Sequence, residues 1–154
     1  MAAAQGDVQL LQDPVAQTLL ASRQPAHLAY TWDDGTPRVV PIWFTWTGEA
    51  LVLGTPPKAP KLKALRQRED VAVTIDDADA WPYKALFVRG LASVDLLDDV
   101  VPEYAEAAVR YFGPEQGSAW VSQLQGHPMA RVSVRPTWVA VLDFETRFPS
   151  ALSV

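Results

Sequence analysis

The run RVVPIWFTW, Arg38 to Trp46, limits what this chain can fold into more than any other stretch. In an extended conformation Val40, Ile42, Phe44 and Trp46 share one face, and Val39, Pro41 and Trp43 share the other. Both faces are apolar, so the strand is expected to be covered on both sides, which asks for something beyond its own core. Pro41 has no backbone N–H to offer a ladder, which suits a strand edge, a bulge or a place where another molecule meets the backbone. Trp43 beside it offers a flat apolar surface.

The turn Thr47-Gly48-Glu49 leads into a second strand, Ala50 to Leu53, which ends in Gly54-Thr55. That pair combines close backbone approach with a hydroxyl donor. A proline-rich loop and a short helix follow, and around them stand three of the chain's four lysines, Lys58, Lys61 and Lys63. The net charge of the whole chain is −5, so this is a local concentration of positive charge in an acidic protein. It falls where a helix begins and the backbone already carries partial positive charge. Either the side chains splay into water or an anion lies among them. Backbone N–H groups of a first turn are natural phosphate donors, and each charge-assisted hydrogen bond contributes about 1.5–3 kcal/mol. Arg66 and Arg68, near the helix C-terminus, are favourable there without a ligand and are weaker candidates.

Elsewhere the pattern is one of short strands. Residues 1–12 read as a loose arm. Pro14 opens a short helix that ends before Pro25. His27 to Trp32 is a first strand, and Asp33-Asp34-Gly35-Thr36 is its hairpin turn. Asp70 to Ile75 and Lys84 to Leu96 alternate as strands, separated by an acidic turn assigned to solvent and by Trp81-Pro82-Tyr83. Asp98-Asp99 is expected to cap a helix whose Val101, Tyr104, Ala105, Ala108, Val109 and Phe112 form a core stripe, stopped at Gly113-Pro114. A second helix near Gln116 to Gln125 is expected to turn Trp120 and Leu124 inward. Met129 to Arg135 and Thr137 to Phe144 are read as two strands broken at Pro136, and residues 148–154 as a tail.

DGTPRVVPIWF, the strand end LGT, Lys61 with Leu65 behind it, EDVAVTID and FVRGLASV occur here in an order and spacing that resemble the split β-barrel flavoproteins related to pyridoxamine 5′-phosphate oxidase. That family has FMN-binding and deazaflavin (F420)-binding branches. The resemblance covers roughly Leu19 to Val94 well and the remainder loosely. It implies that the strand Arg38, Val39, Val40, Pro41, Ile42, Trp43 runs along the flavin ring. It also implies that Thr55 contacts the ligand and that Lys61, with Lys58 nearby, holds its phosphate. Trp81 would either reach across a dimer to the partner's cofactor or close the end of the barrel. Members often carry Ser two residues before the phosphate lysine and Asn three after it; this chain has Ala59 and Ala64.

The expected fold is therefore mainly β: a six- or seven-stranded antiparallel split β-barrel with peripheral α-helices, spanning residues 13–147 as one domain. The expected function is flavin- or deazaflavin-dependent hydride transfer on a small organic substrate, with FMN as first choice and F420 as the alternative. The competing reading is a barrel that holds FMN, F420 or heme without turnover, with His27 or His127 as the heme ligand. No side chain is assigned a catalytic role, because no serine, histidine and carboxylate arrangement or telling acid pair is present. The doubly apolar strand argues for a homodimer with the cofactor between subunits. Cysteine is absent and histidine numbers two, which excludes thiolate chemistry and a histidine-rich metal site. The acidic balance opposes nucleic acid and anionic lipid as partners. A start without a basic, then apolar, leader points to the cytoplasm.

Overall fold

In the computed structural model, which describes residues 3–147, a seven-stranded antiparallel sheet carries four α-helices. The strands are β1 (Ala26–Thr31), β2 (Pro37–Ile42), β3 (Thr45–Trp46), β4 (Leu51–Thr55), β5 (Asp70–Asp77), β6 (Lys84–Leu97) and β7 (Met129–Asp143). The helices are α1 (Pro14–Leu20), α2 (Lys61–Gln67), α3 (Pro102–Phe112) and α4 (Pro114–Leu124). Across the sheet the order is β2-β1-β5-β6-β7-β4-β3. The outermost strands, β2 and β3, are thus neighbours in sequence, separated only by Trp43 and Phe44. Three Cα steps reach at most about 11 Å, so the two edges must come together and the sheet curls into a barrel. No ladder closes it between β2 and β3 among the described residues, and the fold is a split barrel.

Alternation fills the interior. Leu28 and Tyr30 from β1, Leu51 and Leu53 from β4, Val71, Val73 and Ile75 from β5, Leu86 and Val88 from β6, and Val132, Val134, Val139 and Val141 from β7 are all buried. Leu62, Ala64 and Leu65 of α2 join this core. β4 is buried along its whole length, since Val52 on its other side meets Val101 and Met129 beneath α3.

The structure corrects several expectations. The strand read over residues 38–46 is two, β2 and β3, parted at Trp43 and Phe44; β2 is an edge strand in which Val40 and Ile42 lie against the core, while Val39, 64% exposed, and Pro41 are not covered by the chain's own core. Pro41 thus sits at an edge, where its missing donor costs no ladder bond. β7 does not break at Pro136. A bulge opposite Arg89 and Gly90 absorbs the extra residue, and the Thr137 hydroxyl donates to the Arg89 carbonyl at 3.3 Å.

Residues 3–12 are not loose. Asp7 caps a 3-10 helix, Val8–Gln12, that buries Leu10 and Leu11. Ahead of it, Gln5 and Gly6 bind the free edge of β7: the Gln5 amide donates to the Val141 carbonyl at 2.8 Å and accepts from the Val141 N–H at 2.9 Å, and the Gly6 N–H donates to the Val139 carbonyl at 2.7 Å. At the other end, Arg147 pairs with Asp13 at 2.7 Å and with Asp143 at 3.1 Å, so residues 145–147 belong to the fold. Residues 148–154, expected as a tail, lie outside the described residues. No helix among the described residues is long and apolar enough to cross a membrane.

Candidate functional site

The end of β4 is a junction. Thr55 is buried, and it lines a cavity of about 260 Å³ together with Pro56 and Pro57. Gly54 borders both that cavity and a wider one of about 550 Å³ whose other walls include Pro41, Ile42 and Trp43. Tyr104 and Trp120 also line both, so the two form one groove running from the β4 end to the seam between β2 and β3. A methyl at Gly54 would come within 2.7 Å of the Tyr104 Cβ and 2.8 Å of the Met129 sulfur. The close approach expected at Gly54 is therefore made by the protein's own helix α3.

The helix α3 is fastened at both ends. At its start, Glu103 accepts from Arg131 at 2.9 and 3.2 Å, and the Glu103 carbonyl accepts from the Thr45 hydroxyl at 2.7 Å. At its end, Arg110 donates to the Phe44 carbonyl and to the Ser22 carbonyl, the latter at 3.0 Å, while Arg23 donates to the Tyr111 carbonyl at 2.7 Å. Arg110 thereby ties the seam residue Phe44 to the segment after α1. Trp43 lies under this helix, stacked on Tyr111 at 5.1 Å and 8°, inclined to Tyr104 at 5.8 Å and 29°, and edge-on to Phe112 at 4.6 Å. Its ring, read from sequence as a free surface, is engaged by α3.

The lysines separate. Lys63 is exposed and paired with Asp33 at 3.0 Å. Lys58 is exposed, with no ion pair among the described residues. Lys61, the first residue of α2, is half-buried and likewise has neither an ion pair nor a hydrogen bond among the described residues; burial pushes its pKa below the usual lysine value. A half-desolvated ammonium without a counter-charge is costly, and an anion would remove that cost. Arg38 is occupied by its own hairpin, donating to the Thr36 hydroxyl and the Pro37 carbonyl, lying 3.9 Å from Asp34 and stacking over Trp32. It stands at the far end of β2 from Trp43, about 17 Å away along an extended strand. Trp81 is 63% exposed in the β5–β6 turn, where it touches Tyr83, and it lines neither part of the groove.

The groove's helical wall was not foreseen. Of the expected stripe, Val101 and Ala108 are buried, joined by Ala107 and Tyr111, but Val109 and Phe112 are exposed, as is Trp120 of α4. The helix begins at Pro102 with Val101 as its cap, and Asp99 accepts from the Gly126 N–H at 2.9 Å, fixing the turn after α4. The available signal was the number of large aromatics on two consecutive helices, more than one short amphipathic pair needs to dock.

A seven-stranded antiparallel sheet curled on itself and left open between β2 and β3 defines a split-barrel protein. The sequence profile of pyridoxamine 5′-phosphate oxidase matches residues 13–119, more than half of the chain, and the chain belongs to that family. Among solved structures, one described as an F420 reductase is 31% identical, covers 79% of this chain and 93% of its own, and has a TM-score of 0.62. A conserved hypothetical protein from Mycobacterium tuberculosis, at 19% identity, covers 94% and 91% with a TM-score of 0.67. A heme binding protein from Mycobacterium smegmatis, at 18%, covers 86% and 54% with a TM-score of 0.59. At these identities the last two show the fold alone. No curated protein matches the sequence.

Proposed function

We propose that the protein is a flavin- or deazaflavin-dependent oxidoreductase acting on a small organic substrate. Lys61 carries this reading: it is half-buried, shifted by desolvation and without a counter-charge, at the position where the family resemblance puts the phosphate ligand. The residues fit such a group. Lys61, with Lys58 inside the proline loop, would hold phosphate; the Thr55 hydroxyl would contact the ligand; and the outer edge of β2, which has no strand partner among the described residues, leaves backbone from Val39 to Trp43 for the ring. FMN, or F420 as the alternative, would supply hydride chemistry when bound. The chain's own contributions are anchorage, orientation along β2 and exclusion of water by the α3 wall.

Val39 and Pro41 on the outer side of β2 support a homodimer, with a second copy covering what a single chain leaves open. Arg38 and Trp81, which do not reach the groove within one chain, would meet the cofactor of a partner or serve structure alone. In the alternative, a barrel binding cofactor without turnover, heme would require an axial ligand, and His127 lines the smaller cavity.

The deciding measurement is the visible spectrum and ligand mass of the purified protein, followed by titration with FMN, F420 and hemin on wild type and Lys61→Met. Saturable binding of FMN or F420 that is lost in Lys61→Met supports the proposal. Binding of hemin alone, lost in His127→Ala, would replace it with the heme reading.

A further inference from the structure

The groove has a property that phosphate anchorage does not explain. Of the residues lining its two parts, none is Asp, Glu, Lys or Arg. Its walls are aromatic and aliphatic: Trp43, Tyr104, Phe112, Trp120, Leu124 and Met129. A carboxylate or phosphate entering it would shed water and find no Lys or Arg, with His127 the one imidazole on the wall of the smaller part, whereas a flat apolar ring would incur no such penalty. The volumes, about 260 and 550 Å³, fall in the range that takes small molecules.

Phe112 is 45% and Trp120 38% exposed. Their helices do not need them for docking. α4 buries only Gly117, where an added Cβ would meet the Ala108 carbonyl at 2.6 Å, so the helix pair is joined backbone to backbone. Both rings are instead turned to the groove.

One polar device sits among them. The Trp120 indole N–H donates to the Tyr104 hydroxyl oxygen at 2.9 Å. With that oxygen accepting, the phenol O–H is free to donate, and no acceptor for it exists among the described residues. An available donor in an aromatic slot lined by no Asp, Glu, Lys or Arg specifies an acceptor on the ligand, most simply a carbonyl.

We infer that the slot between β4, the β2 end and the α3–α4 pair binds an uncharged, planar aromatic molecule bearing a hydrogen-bond acceptor. On the oxidoreductase reading, on which only this last step rests, that molecule is the substrate, held beside the Pro41–Trp43 backbone. The family's eponymous phosphorylated substrate class is thereby disfavoured for this chain.

The test is calorimetric titration of the full chain, without added cofactor, with three probes of one ring: 2-acetylnaphthalene, 2-naphthoate and naphthalene. The ketone binds at least about 10-fold more tightly than the carboxylate, since an unpaired charge must be desolvated. Trp120→Ala weakens the ketone about 10-fold or more, as loss of a stacking aromatic does. Tyr104→Phe weakens it about 3- to 10-fold, the worth of one neutral hydrogen bond, and leaves naphthalene unchanged. Lys61→Met binds the ketone as wild type does. Equal affinity for ketone and carboxylate, no saturable binding, or an unaltered affinity in a folded Trp120→Ala protein overturns the inference. So does a dimer that dissociates as the ketone binds, because a second copy then fills the slot. If FMN and F420 fail to bind while the ketone series holds, the redox proposal falls and the slot stands.

Discussion

The lysine loop and the aromatic slot both begin at the end of β4, but they are built on opposite physics. The loop keeps Lys61 half-buried and uncompensated, with Lys63 drawn off to Asp33. The slot is shaped by rings and fastened on every side, through Arg110 to Ser22 and Phe44 and through Glu103 to Arg131. One region holds stored electrostatic cost that a ligand can relieve; the other holds preformed shape. On the proposed function, anchorage of an anionic group and selectivity for an uncharged one would fall to these two separate regions.

Four substitutions break or sharpen that contrast. The largest effect is expected from Arg110→Met, which leaves the Ser22 and Phe44 carbonyls without their donor. The cost is about 2–4 kcal/mol in urea unfolding, with loss of near-ultraviolet circular dichroism from the stacked rings; an unchanged unfolding midpoint would show that the slot is not held there.

Next is Lys61→Met. Cofactor affinity falls about 10- to 100-fold, corresponding to about 1.5–3 kcal/mol, while stability at neutral pH is maintained or raised. Burial lowers the pKa of this lysine, so the unfolded chain binds its proton more tightly. Wild-type stability therefore rises as pH increases through the folded pKa toward 10.5, and the variant lacks that rise. Thermal melts taken from neutral pH upward toward 10.5 follow it.

A third change lies in neither region. Burial raises the Asp143 pKa, but hydrogen bonds from Thr146, Glu145 and Arg147 outweigh it and hold the carboxyl at about 2, below its ordinary 3.8. Its contribution is complete above pH 3.8 and disappears as pH falls through about 2. Asp143→Asn should cost about 1–2 kcal/mol at neutral pH and flatten the acid limb of a stability profile, leaving both binding regions as they were.

The smallest effect belongs to Lys63→Ala. It removes an exposed ion pair worth less than about 1 kcal/mol and leaves FMN and F420 titrations unchanged. If it weakens cofactor as much as the Lys61 change does, the division of labour among the lysines is wrong.

How much of this was legible in the sequence follows from how local each signal is. The strands around Pro41 and the chemistry of Gly54-Thr55 are set by neighbouring residues, so alternation predicts a mainly antiparallel barrel; its strand number agrees because the single strand read over residues 38–46 is two, β2 and β3, while the two read across Pro136 are one, β7. Lys61 was singled out by charge crowding, and its burial now distinguishes it from Lys58 and Lys63. The slot was not legible. A helical stripe in sequence does not reveal which side of the helix meets the barrel, and α3 is rotated by long-range bonds from Arg110, Arg23 and Thr45. The continuity of β7 through Pro136 was equally hidden, because the bulge depends on Arg89 and Gly90 in another strand.

Gln5 has a consequence of a different kind. Val139 and Val141 present bare backbone beyond the stretch of β7 that β4 covers, and a bare strand border is a template on which another polypeptide can grow a ladder. A single carboxamide, donating to one peptide group and accepting from the same residue, imitates an incoming strand and saturates that template. Together with the Gly6 N–H on the Val139 carbonyl, residues 5 and 6 act as a chemical full stop on the sheet, occupying a border on which another chain could otherwise polymerise.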